Sequence, residues 1–393
     1  MRIAFYAPLK APNHPTPSGD RRVARLLMDA LHLAGHTVDL ASEFRSFDRE
    51  GDAQHQRALA GQGRSIAQAL IEQWHDVDAP GRPDLWFTYH LYYKAPDWLG
   101  PAVCRALDLP YVVAEASHAA KRASGPWAIG HAAAEQALRS ADLLLSPTGF
   151  DVAGLQQLVT DPERIRRLPP FVDPVPYQRA ARKRGLWRLR LGRLLGLPMS
   201  EPWLVVAAMM RHGDKLASYC VLADTLPLLQ DLPWQLLVCG DGDARGEVEA
   251  LLGPVAAGRV HFLGACDARA MAAVYAAGDI CLWPAVNEAY GMAMLEAQAA
   301  GLPVVSCATR GVPDVVQHGQ TGLLASEIDA RALAACVREL LTDPPRRRAM
   351  GVAAAQFVAQ SRSLSQAART LASALAPLLR LQRQAPAASV STR

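Results

Sequence analysis

The chain has 393 residues, of which 50% are hydrophobic and 20% are charged, and this composition excludes wholesale disorder and predicts about two to three domains. Its 41 Lys and Arg against 37 Asp and Glu give a net charge of +4, which is too small to indicate a nucleic-acid-binding protein. The seven cysteines form no C-x-x-C pair, and no uncharged stretch reaches the about 18–20 residues of a membrane-spanning helix, so we expect a soluble cytoplasmic chain without disulfides.

The first half of the chain predicts a strand, a loop and a helix, followed by weaker strand and helix pairs. The apolar run RIAFYA at 2–7 precedes a loop that is rich in turn residues and contains Gly19. Apolar residues between Val23 and Ala34 then recur at helical spacing, and Gly35 ends the helix. Further strand candidates are HTVDLA, DLWFTY, PYVVAEA and DLLLSP. This alternation predicts an N-terminal α/β domain over 1–175.

The second half shows the same alternation more clearly. Its strand candidates are WLVVAAMM, WQLLVCG, VHFLG, DICLWPA and PVVSCA. Short apolar strands that alternate with helices are typical of a parallel sheet covered on both faces, so we predict two doubly wound, Rossmann-like domains. The second domain is expected over 181–362, after a linker at about 174–180. A helix is expected at about 363–376, ahead of Pro377, and a disordered tail at 384–393.

Two glutamates in the stretch NEAYGMAMLEAQAAGLPVV carry most of the chemical information. Glu288 follows a predicted strand and Glu296 lies on the helix after it, so eight residues of helix would separate them by about 12 Å. Gly291 permits close backbone approach, and the free N–H groups at the start of the helix, near Met292, would bind an anion. One site could therefore hold hydroxyl groups at two points and a phosphate between them. The alternative is an ordinary loop with two solvated carboxylates.

This stretch resembles the Glu-x7-Glu signature of the family 4 retaining glycosyltransferases, which have the GT-B fold. The match extends through LWPAVNEAYGMAMLEAQAAGLPVVSCATRGVPDVVQHGQTGLLA, and it is good across 203–326 and fainter in the N-terminal half. The resemblance implies an α/β chain of two doubly wound, Rossmann-like domains that face each other across a cleft. It also implies that the C-terminal helix, about 363–382, crosses back to the first domain. Glu288 would contact the donor sugar, and Glu296 the ribose hydroxyls.

Two cations follow the first strand of the second domain, in AAMMRHGDKLASY. Lys215 and Arg211 lie where a strand ends and a helix begins, the region in which α/β sheets bind ligands. A departing nucleoside diphosphate gains negative charge, and fixed cations stabilise that charge most in the transition state. The family has an Arg five residues before the Lys, whereas Met210 holds that position here and Arg211 follows it. By the same resemblance, the nucleotide base would lie near Phe262 and Leu263.

The N-terminal half offers weaker candidates. Ser18-Gly19 resembles the family's Gly-Gly loop with its first glycine replaced, which makes Gly19 a candidate for contact with the phosphates or the sugar. Family members often have a His at the end of an N-terminal strand, near the reacting carbon, and Ala116 holds that position here. His118 and Glu115 are the candidates for this role, and His90 is a further histidine that the sequence offers.

The GDGD turn at 240–243 spells a D-x-D pattern, but Gly and Asp are also the residues that tight turns require. It fits the family's Gly-x-Gly after this strand, so we predict no metal site and no cofactor. A G-x-G-x-x-G fingerprint is missing after the first strand, which disfavours a dehydrogenase.

The resemblance implies a retaining glycosyltransferase that moves a sugar from a nucleoside diphosphate sugar to an acceptor hydroxyl, in the synthesis of cell-surface glycans or glycolipids. The acceptor is left open among a glycan, a lipid-linked molecule and a small molecule. The cations of the segment 179–193 are candidates for peripheral contact with the inner face of a membrane, although charged runs are often simply solvated. Two alternatives stay open: a sugar-nucleotide 2-epimerase of the same fold, and a non-catalytic subunit that binds nucleotide sugar.

Overall fold

The computed structural model describes residues 1–16, 18–255 and 258–384, and these form two compact units. Unit 1 consists of Met1–Pro169 and of the described residues from Leu364 onward, and unit 2 consists of Pro170–Ser363. The predicted tail at 384–393 lies outside the described residues, apart from Gln384. In the described part of the chain, no helix has both the length and the apolar character needed to cross a lipid bilayer.

Unit 1 is built on a parallel sheet with helices between its strands. The strands are β1 (Arg2–Tyr6), β2 (Thr37–Ser42), β3 (Leu85–Leu91), β4 (Tyr111–Ala116), β5 (Leu143–Ser146) and β6 (Ile165–Arg167). The helices are α1 (Gly19–Leu33), α2 (Ala53–Gln73), α3 (Gly100–Leu107), α4 (Ala128–Ser140) and α5 (Gly149–Gln156). The strand order is β2-β1-β3-β4-β5-β6, and the central strands are buried, as their continuous apolar runs predict.

Unit 2 has the same construction. Its strands are β7 (Trp203–Ala207), β8 (Gln235–Cys239), β9 (Val260–Gly264), β10 (Ile280–Leu282), β11 (Val304–Cys307) and β12 (Gly322–Ala325). Its helices are α6 (Val175–Ala181), α7 (Arg184–Leu195), α8 (Asp214–Thr225), α9 (Arg245–Leu252), α10 (Ala268–Ala277), α11 (Met292–Ala299), α12 (Val312–Val315), α13 (Ala330–Thr342) and α14 (Pro344–Ser361). The strands are parallel and lie in the order β12-β11-β10-β7-β8-β9.

The last helix of the described chain belongs to unit 1. This helix, α15 (Leu364–Gln384), packs against α1 and buries Ala367, Leu371 and Leu375 at helical spacing. It continues through Pro377, where the sequence predicted its end. Proline removes one backbone donor from a helix, and we attribute the continuation to the packed apolar face that precedes it.

The segment that the sequence assigned to a linker is helical. The chain divides between Pro169 and Pro170, and α6 occupies the range in which the linker was expected. Tyr177 and Ala180 of α6 are buried against unit 2, so this helix belongs to the core of that unit. The prediction failed because the seven cations from Arg179 to Arg193 suggested a solvated segment.

Two of those cations hold α7 in place. Arg184 and Arg188 pair with Asp279 at 2.7 and 2.8 Å, and Arg188 lies over the Trp203 ring at 4.2 Å. Both guanidinium groups also donate to carbonyls at the end of α10, where the helix dipole favours a cation. Part of the basic segment is therefore structural.

Each sheet has a topological switch point, where the chain resumes on the other side of its first strand. In unit 1 this point lies between β1 and β3, and in unit 2 it lies between β7 and β10. The loops after the two strands run in opposite directions and leave a crevice at the carboxyl ends of the strands, where α/β proteins bind ligands. We call these places the unit 1 and unit 2 switch points.

Candidate active site

An ion pair lies at the unit 2 switch point. Lys215 lies in the first turn of α8, after β7, and Glu288 lies in the loop after β10. The Lys215 Nζ contacts the Glu288 Oε2, and the two side chains are 34% and 18% exposed. The structure thus brings together two of the four residues that the sequence predicted for catalysis, although 73 positions separate them.

The loop that carries Glu288 is anchored to α8. The Ser218 hydroxyl accepts the Val286 N–H at 3.0 Å, and Asn287 donates its side-chain amide to Asp214 at 2.9 Å. Ala285 and Asn287 both have positive φ, at 62° and 52°. Asn tolerates this region, but Ala does so only under strain, which is typical of functional loops. The position of Glu288 is therefore fixed by α8 contacts rather than by local preference.

Trp283 forms one wall of the ion pair. Its Nε1 lies 3.4 Å from the Glu288 Oε2, and the Lys215 Nζ lies 5.4 Å from the ring centroid. The ring packs edge-on against Tyr219 at 5.0 Å, and Tyr219 donates its hydroxyl to the Ala208 carbonyl. An ammonium between a carboxylate and an aromatic face is partly shielded from water, so its field acts more strongly on a bound anion.

Glu296 is buried on α11, with 6% of the residue exposed. Burial and the nearby Glu296 carboxylate raise the pKa of Tyr275 well above its usual range, and the same two causes raise the pKa of Cys281 to about 12. Neither Glu288 nor Glu296 is a solvated surface carboxylate, so the alternative of an ordinary charged loop is wrong. The predicted separation by eight helical residues is also wrong, because α11 begins only at Met292.

Gly291 sits where the loop turns into α11. Its φ of 76° is accessible to glycine at little cost, and an added Cβ would lie 3.1 Å from the Met294 sulfur. Gly291 and Met292 are half-buried at the N-terminus of α11, whose first N–H groups have no intrahelical partners. The predicted anion-binding end of the helix therefore lies next to the loop that carries Glu288.

The cations around Lys215 differ from the prediction. Met210 is fully buried, and Arg211 is exposed on the loop before α8, so the chain places no arginine in the family's position. Sequence reasoning missed Arg310, which follows β11 and donates to the Asn287 side chain at 3.0 Å. Its position at the carboxyl end of the next strand was the available signal.

The GDGD turn packs tightly against the loop after β7. A Cβ on Gly240 would lie 1.8 Å from the Ala208 oxygen, and one on Gly242 would lie 2.1 Å from the Met210 oxygen. Asp241 pairs with Arg245 at 3.2 Å, which accounts for its charge. The Gly residues are therefore required for close loop packing, as the turn interpretation predicts.

Phe262 and Leu263 lie near the end of β9, the edge strand of this sheet, and both are half-buried. The Gly264 carbonyl after them accepts the Gly240 N–H at 2.8 Å, which joins the end of β9 to the GDGD turn. These two residues thus stand at the same carboxyl edge as Lys215, two strands away.

The unit 1 switch point carries a different cluster. The His90 Nδ1 lies 3.1 Å from Asp20, at the start of α1, and 3.7 Å from Glu115, near the end of β4. His90 and Glu115 have positive φ values of 59° and 56°, which are strained for these residues. Burial lowers the pKa of His90, but Glu115 and Asp20 outweigh it and raise that pKa above its usual value. The sequence named His90 and Glu115 but not Asp20.

The other unit 1 candidates lie in different surroundings. His118 turns toward His131 and Glu135 of α4, at 3.7 Å from the Glu135 Oε2, while Glu115 faces His90. Gly19 is the first residue of α1, and a Cβ added there would meet no atom of the described residues within 4 Å. Ser18 caps that helix by accepting the Arg21 N–H, which explains a serine at the position of the family's first glycine.

Comparison with known proteins identifies a family match within unit 2 and relatives over a longer part of the chain. Residues 201–343 match the family model described as glycosyl transferases group 1. Over 235 residues, which cover 58% of this chain and 55% of the relative, the chain is 29% identical to a D-inositol 3-phosphate glycosyltransferase of Corynebacterium aurimucosum. The chain thus spans about half the length of the curated relatives that it matches.

Two solved structures are similar over nearly the whole chain. Sucrose-phosphate synthase from Thermosynechococcus elongatus has a TM-score of 0.73 at 20% identity, covering 97% of this chain and 99% of that one. Anabaena HepE in complex with UDP and glucose has a TM-score of 0.69 at 15% identity, covering 96% of this chain and 100% of that one. At these identities the likeness establishes the fold, and the predicted two-unit α/β GT-B architecture is confirmed.

Proposed function

We propose that the protein transfers a sugar from a nucleoside diphosphate sugar to an acceptor hydroxyl, because residues 201–343 match the family model described as glycosyl transferases group 1. The observation that carries the proposal is the Lys215–Glu288 pair at the unit 2 switch point, walled by Trp283. A cation and a carboxylate side by side match a donor that presents a diphosphate next to a hydroxyl-rich sugar.

Lys215 would stabilise the leaving group. During transfer the bond between the anomeric carbon and the diphosphate oxygen breaks, and a bond from that carbon to the acceptor oxygen forms. Negative charge grows on the diphosphate, where a fixed ammonium stabilises the transition state more than the ground state. Before the donor binds, Glu288 holds the Lys215 ammonium in place, so little reorganisation is needed. Arg310 is a second cation within reach of the same loop.

The carboxylates would hold the two ends of the donor. Glu288 would accept hydrogen bonds from sugar hydroxyls, and Glu296 from the ribose hydroxyls, as the family resemblance implies. The N-terminus of α11 at Gly291 and Met292 would bind the phosphates between them. Arg211 is exposed and could contribute only through long-range charge, and Phe262 and Leu263 would flank the base.

We propose retention of the anomeric configuration on the family resemblance. In that mechanism the acceptor proton passes to an oxygen of the departing phosphate on the same face of the sugar, so no protein base is required. Gly19, Glu115 and His118 stay proposals for the contribution of unit 1. The relatives are named for inositol 3-phosphate, which makes a phosphorylated polyol one acceptor to test beside glycans and lipid-linked sugars.

The first experiment is a panel of UDP-, GDP- and ADP-sugars, read as the rise in Tm of the full chain. A donor at 100 times its Kd should stabilise the protein by about 2.7 kcal/mol. Lys215→Met should abolish most of the rise for the bound donor and lower kcat/KM for transfer by about 10²–10³-fold. Lys94→Met is the matched control, because Lys94 also lies over a tryptophan, Trp127, at 4.4 Å in unit 1.

Three outcomes would decide against the proposal. Lys215→Met with full transfer activity would remove the diphosphate assignment. A C2 epimer formed from the donor alone would indicate the epimerase. Donor binding without transfer or hydrolysis, across the acceptor panel, would indicate the non-catalytic subunit.

We also propose that the basic segment 179–193 contacts an anionic membrane. Arg184 and Arg188 are engaged within the unit, but Arg182, Lys183, Arg190 and Arg193 are exposed. Arg190 and Arg193 lie on α7 and, at helical spacing, share one face with the exposed Leu186, Leu189 and Leu194, while Arg182 and Lys183 precede this helix. Cations interleaved with leucines suit the surface of a bilayer that contains anionic lipid.

Co-sedimentation with vesicles tests this contact. Replacing Arg190 and Arg193 by Gln should lower binding to phosphatidylglycerol vesicles more than about tenfold, because each cation contributes about 1 kcal/mol. Replacing the exposed Arg269 and Arg331 by Gln removes the same charge elsewhere in unit 2 and should change binding little. Equal losses in both double variants would show an unspecific charge effect.

A further inference from the structure

Three side chains of unit 1 are arranged like the ligands of a metal ion. His118 follows β4, and His131 and Glu135 lie one turn apart on α4. One ligand atom from each residue lies within 4.8 Å of the other two. The His118 Nε2 and the His131 Nδ1 are 3.7 and 3.9 Å from the same Glu135 oxygen, Oε2.

Both imidazoles are buried, and three of their four nitrogens lack a hydrogen-bond partner in the described part of the chain. The side chains of His118 and His131 are 8% and 5% exposed. These three nitrogens are both those of His118 and the Nε2 of His131, and no described residue forms a hydrogen bond with them. A buried polar atom without a partner costs free energy, and such atoms generally indicate a missing ligand, ion or water. The two rings contact each other, with centroids 5.3 Å apart.

Glu135 is held with one carboxylate oxygen facing the two histidines. Arg139 donates to its Oε1 at 2.7 Å, which leaves the Oε2 toward the histidines. A glutamate is normally ionised at neutral pH, so this oxygen can act as a metal ligand. Metal-ligating carboxylates are typically held by an outer hydrogen bond of this kind.

We infer that His118, His131 and Glu135 bind a divalent transition metal, and that Zn²⁺ is the ion that fits best. Two imidazole nitrogens and one carboxylate oxygen make a three-ligand zinc site with a fourth position open to water or a ligand. Tetrahedral zinc with bonds of about 2.0–2.1 Å keeps its ligands roughly 3.3 Å apart, so small side-chain rotations would close the observed distances. This inference differs from the expectation of no metal, which rested on the GDGD turn in unit 2.

The test uses the full chain without a polyhistidine tag, titrated with Zn²⁺ and, separately, with Co²⁺. We expect one equivalent of tight Zn²⁺ binding by calorimetry. We also expect the strong visible absorption of tetrahedral Co²⁺, without the near-ultraviolet band of a cobalt–thiolate bond. The thiolate band matters because the chain has seven free cysteines.

The variants His118→Ala, His131→Ala and Glu135→Gln should each weaken Zn²⁺ binding by more than about 100-fold, since loss of an outer partner alone costs about 10–100-fold. Arg139→Gln should weaken it by roughly tenfold. His55→Ala, an exposed histidine on α2, should bind Zn²⁺ like the parent. Circular dichroism without metal confirms that each variant is folded, and Glu135→Gln keeps the packing volume if a His→Ala variant fails.

Parent protein that binds Zn²⁺ no better than the three ligand variants would overturn the inference. So would a Co²⁺ spectrum dominated by thiolate. Both readouts report metal binding and not sugar transfer, so the result is independent of the proposed function.

Discussion

The two switch points have the same topology and opposite chemistry. At the unit 2 switch point a lysine and a glutamate pair, with an aromatic wall beside them. At the unit 1 switch point two carboxylates, Asp20 and Glu115, surround the half-buried His90. Because Asp and Glu are ionised at neutral pH, the unit 1 cluster carries net negative charge even when His90 is protonated.

The comparison shows that topology fixes where a ligand binds and side-chain charge decides which ligand it is. A diphosphate is attracted by Lys215 and Arg310, but it would be repelled by Asp20 and Glu115. Carboxylates beside a histidine suit hydroxyl groups, to which they can offer hydrogen-bond acceptors. Variants at and near the two switch points test whether unit 2 binds the diphosphate and unit 1 binds hydroxyl groups.

Removing one carboxylate from each switch point separates their roles. Glu288→Ala should abolish the donor-induced rise in Tm and lower kcat/KM by about 10²–10³-fold, because a preorganised group at the reacting centre is lost. Asp20→Asn should keep the donor-induced rise, since the unit 1 cluster does not suit a diphosphate. The reverse pattern, donor binding lost in Asp20→Asn and kept in Glu288→Ala, would break the comparison.

Glycine to alanine changes compare the loops that follow β1 and β8. Gly240→Ala should lower the free energy of unfolding by at least about 2 kcal/mol, because its Cβ would overlap the Ala208 oxygen. Gly19→Ala should change it by less than about 0.5 kcal/mol, because no described residue lies within 4 Å of the added Cβ. Urea denaturation of both variants measures the difference. Equal destabilisation would show that the Gly19 loop is packed more tightly than described.

His90 of unit 1 should make the free energy of unfolding depend on pH near neutrality. The raised pKa of His90 means that folded protein holds its proton more tightly than unfolded protein does. The resulting stabilisation is fully present below pH about 6.5 and is lost as pH rises through the folded pKa. Charges around this ring include Asp20, Glu115 and Asp151, and the Tyr92 ring lies 5.2 Å away.

His90→Asn should remove this loss of stability on raising the pH, and Asn tolerates the positive φ at this position. Urea midpoints of the parent and the variant at pH 6 and about pH 8 measure the effect, which we expect to be the smallest of the three. Lys215→Met serves as the control and should retain the parent's pH dependence. If the parent became more stable from pH 6 to about pH 8, and His90→Asn did not, the predicted direction of the pH effect would be wrong.

Much of the unit 2 site could be predicted because its residues are close in the sequence. Glu288, Gly291 and Glu296 lie within nine positions, so one stretch contained both the chemistry and its spacing. Five strands of each unit were also predicted, since buried parallel strands are continuous apolar runs, whereas the edge strands β6 and β12 were missed. What failed was local conformation: the loop that carries Glu288 is held by Ser218 and Asp214, which no local pattern reveals.

The unit 1 cluster could not be predicted in the same way. Asp20, His90 and Glu115 come from three segments, and strand order alone brings them together. The three proposed metal ligands, His118, His131 and Glu135, could be predicted only in part from the sequence. His131 and Glu135 are four residues apart on α4, the spacing of two ligands on one helix face, so the sequence contains a signal for this pair. His118 follows β4, and only the fold brings it to them.

The bridge between Val172 and Ser363 joins the two ends of unit 2. The Val172 N–H also donates to the Arg362 carbonyl at 2.9 Å, so this unit begins and finishes at one spot. Because its two ends are adjacent, we expect that unit 2 can be exchanged for the homologous segment of a relative without a new linker between the ends. Unit 1 cannot be exchanged as one continuous segment, because it consists of residues 1–169 and 364–393. Deleting residues 364–393 would remove α15, which packs against α1.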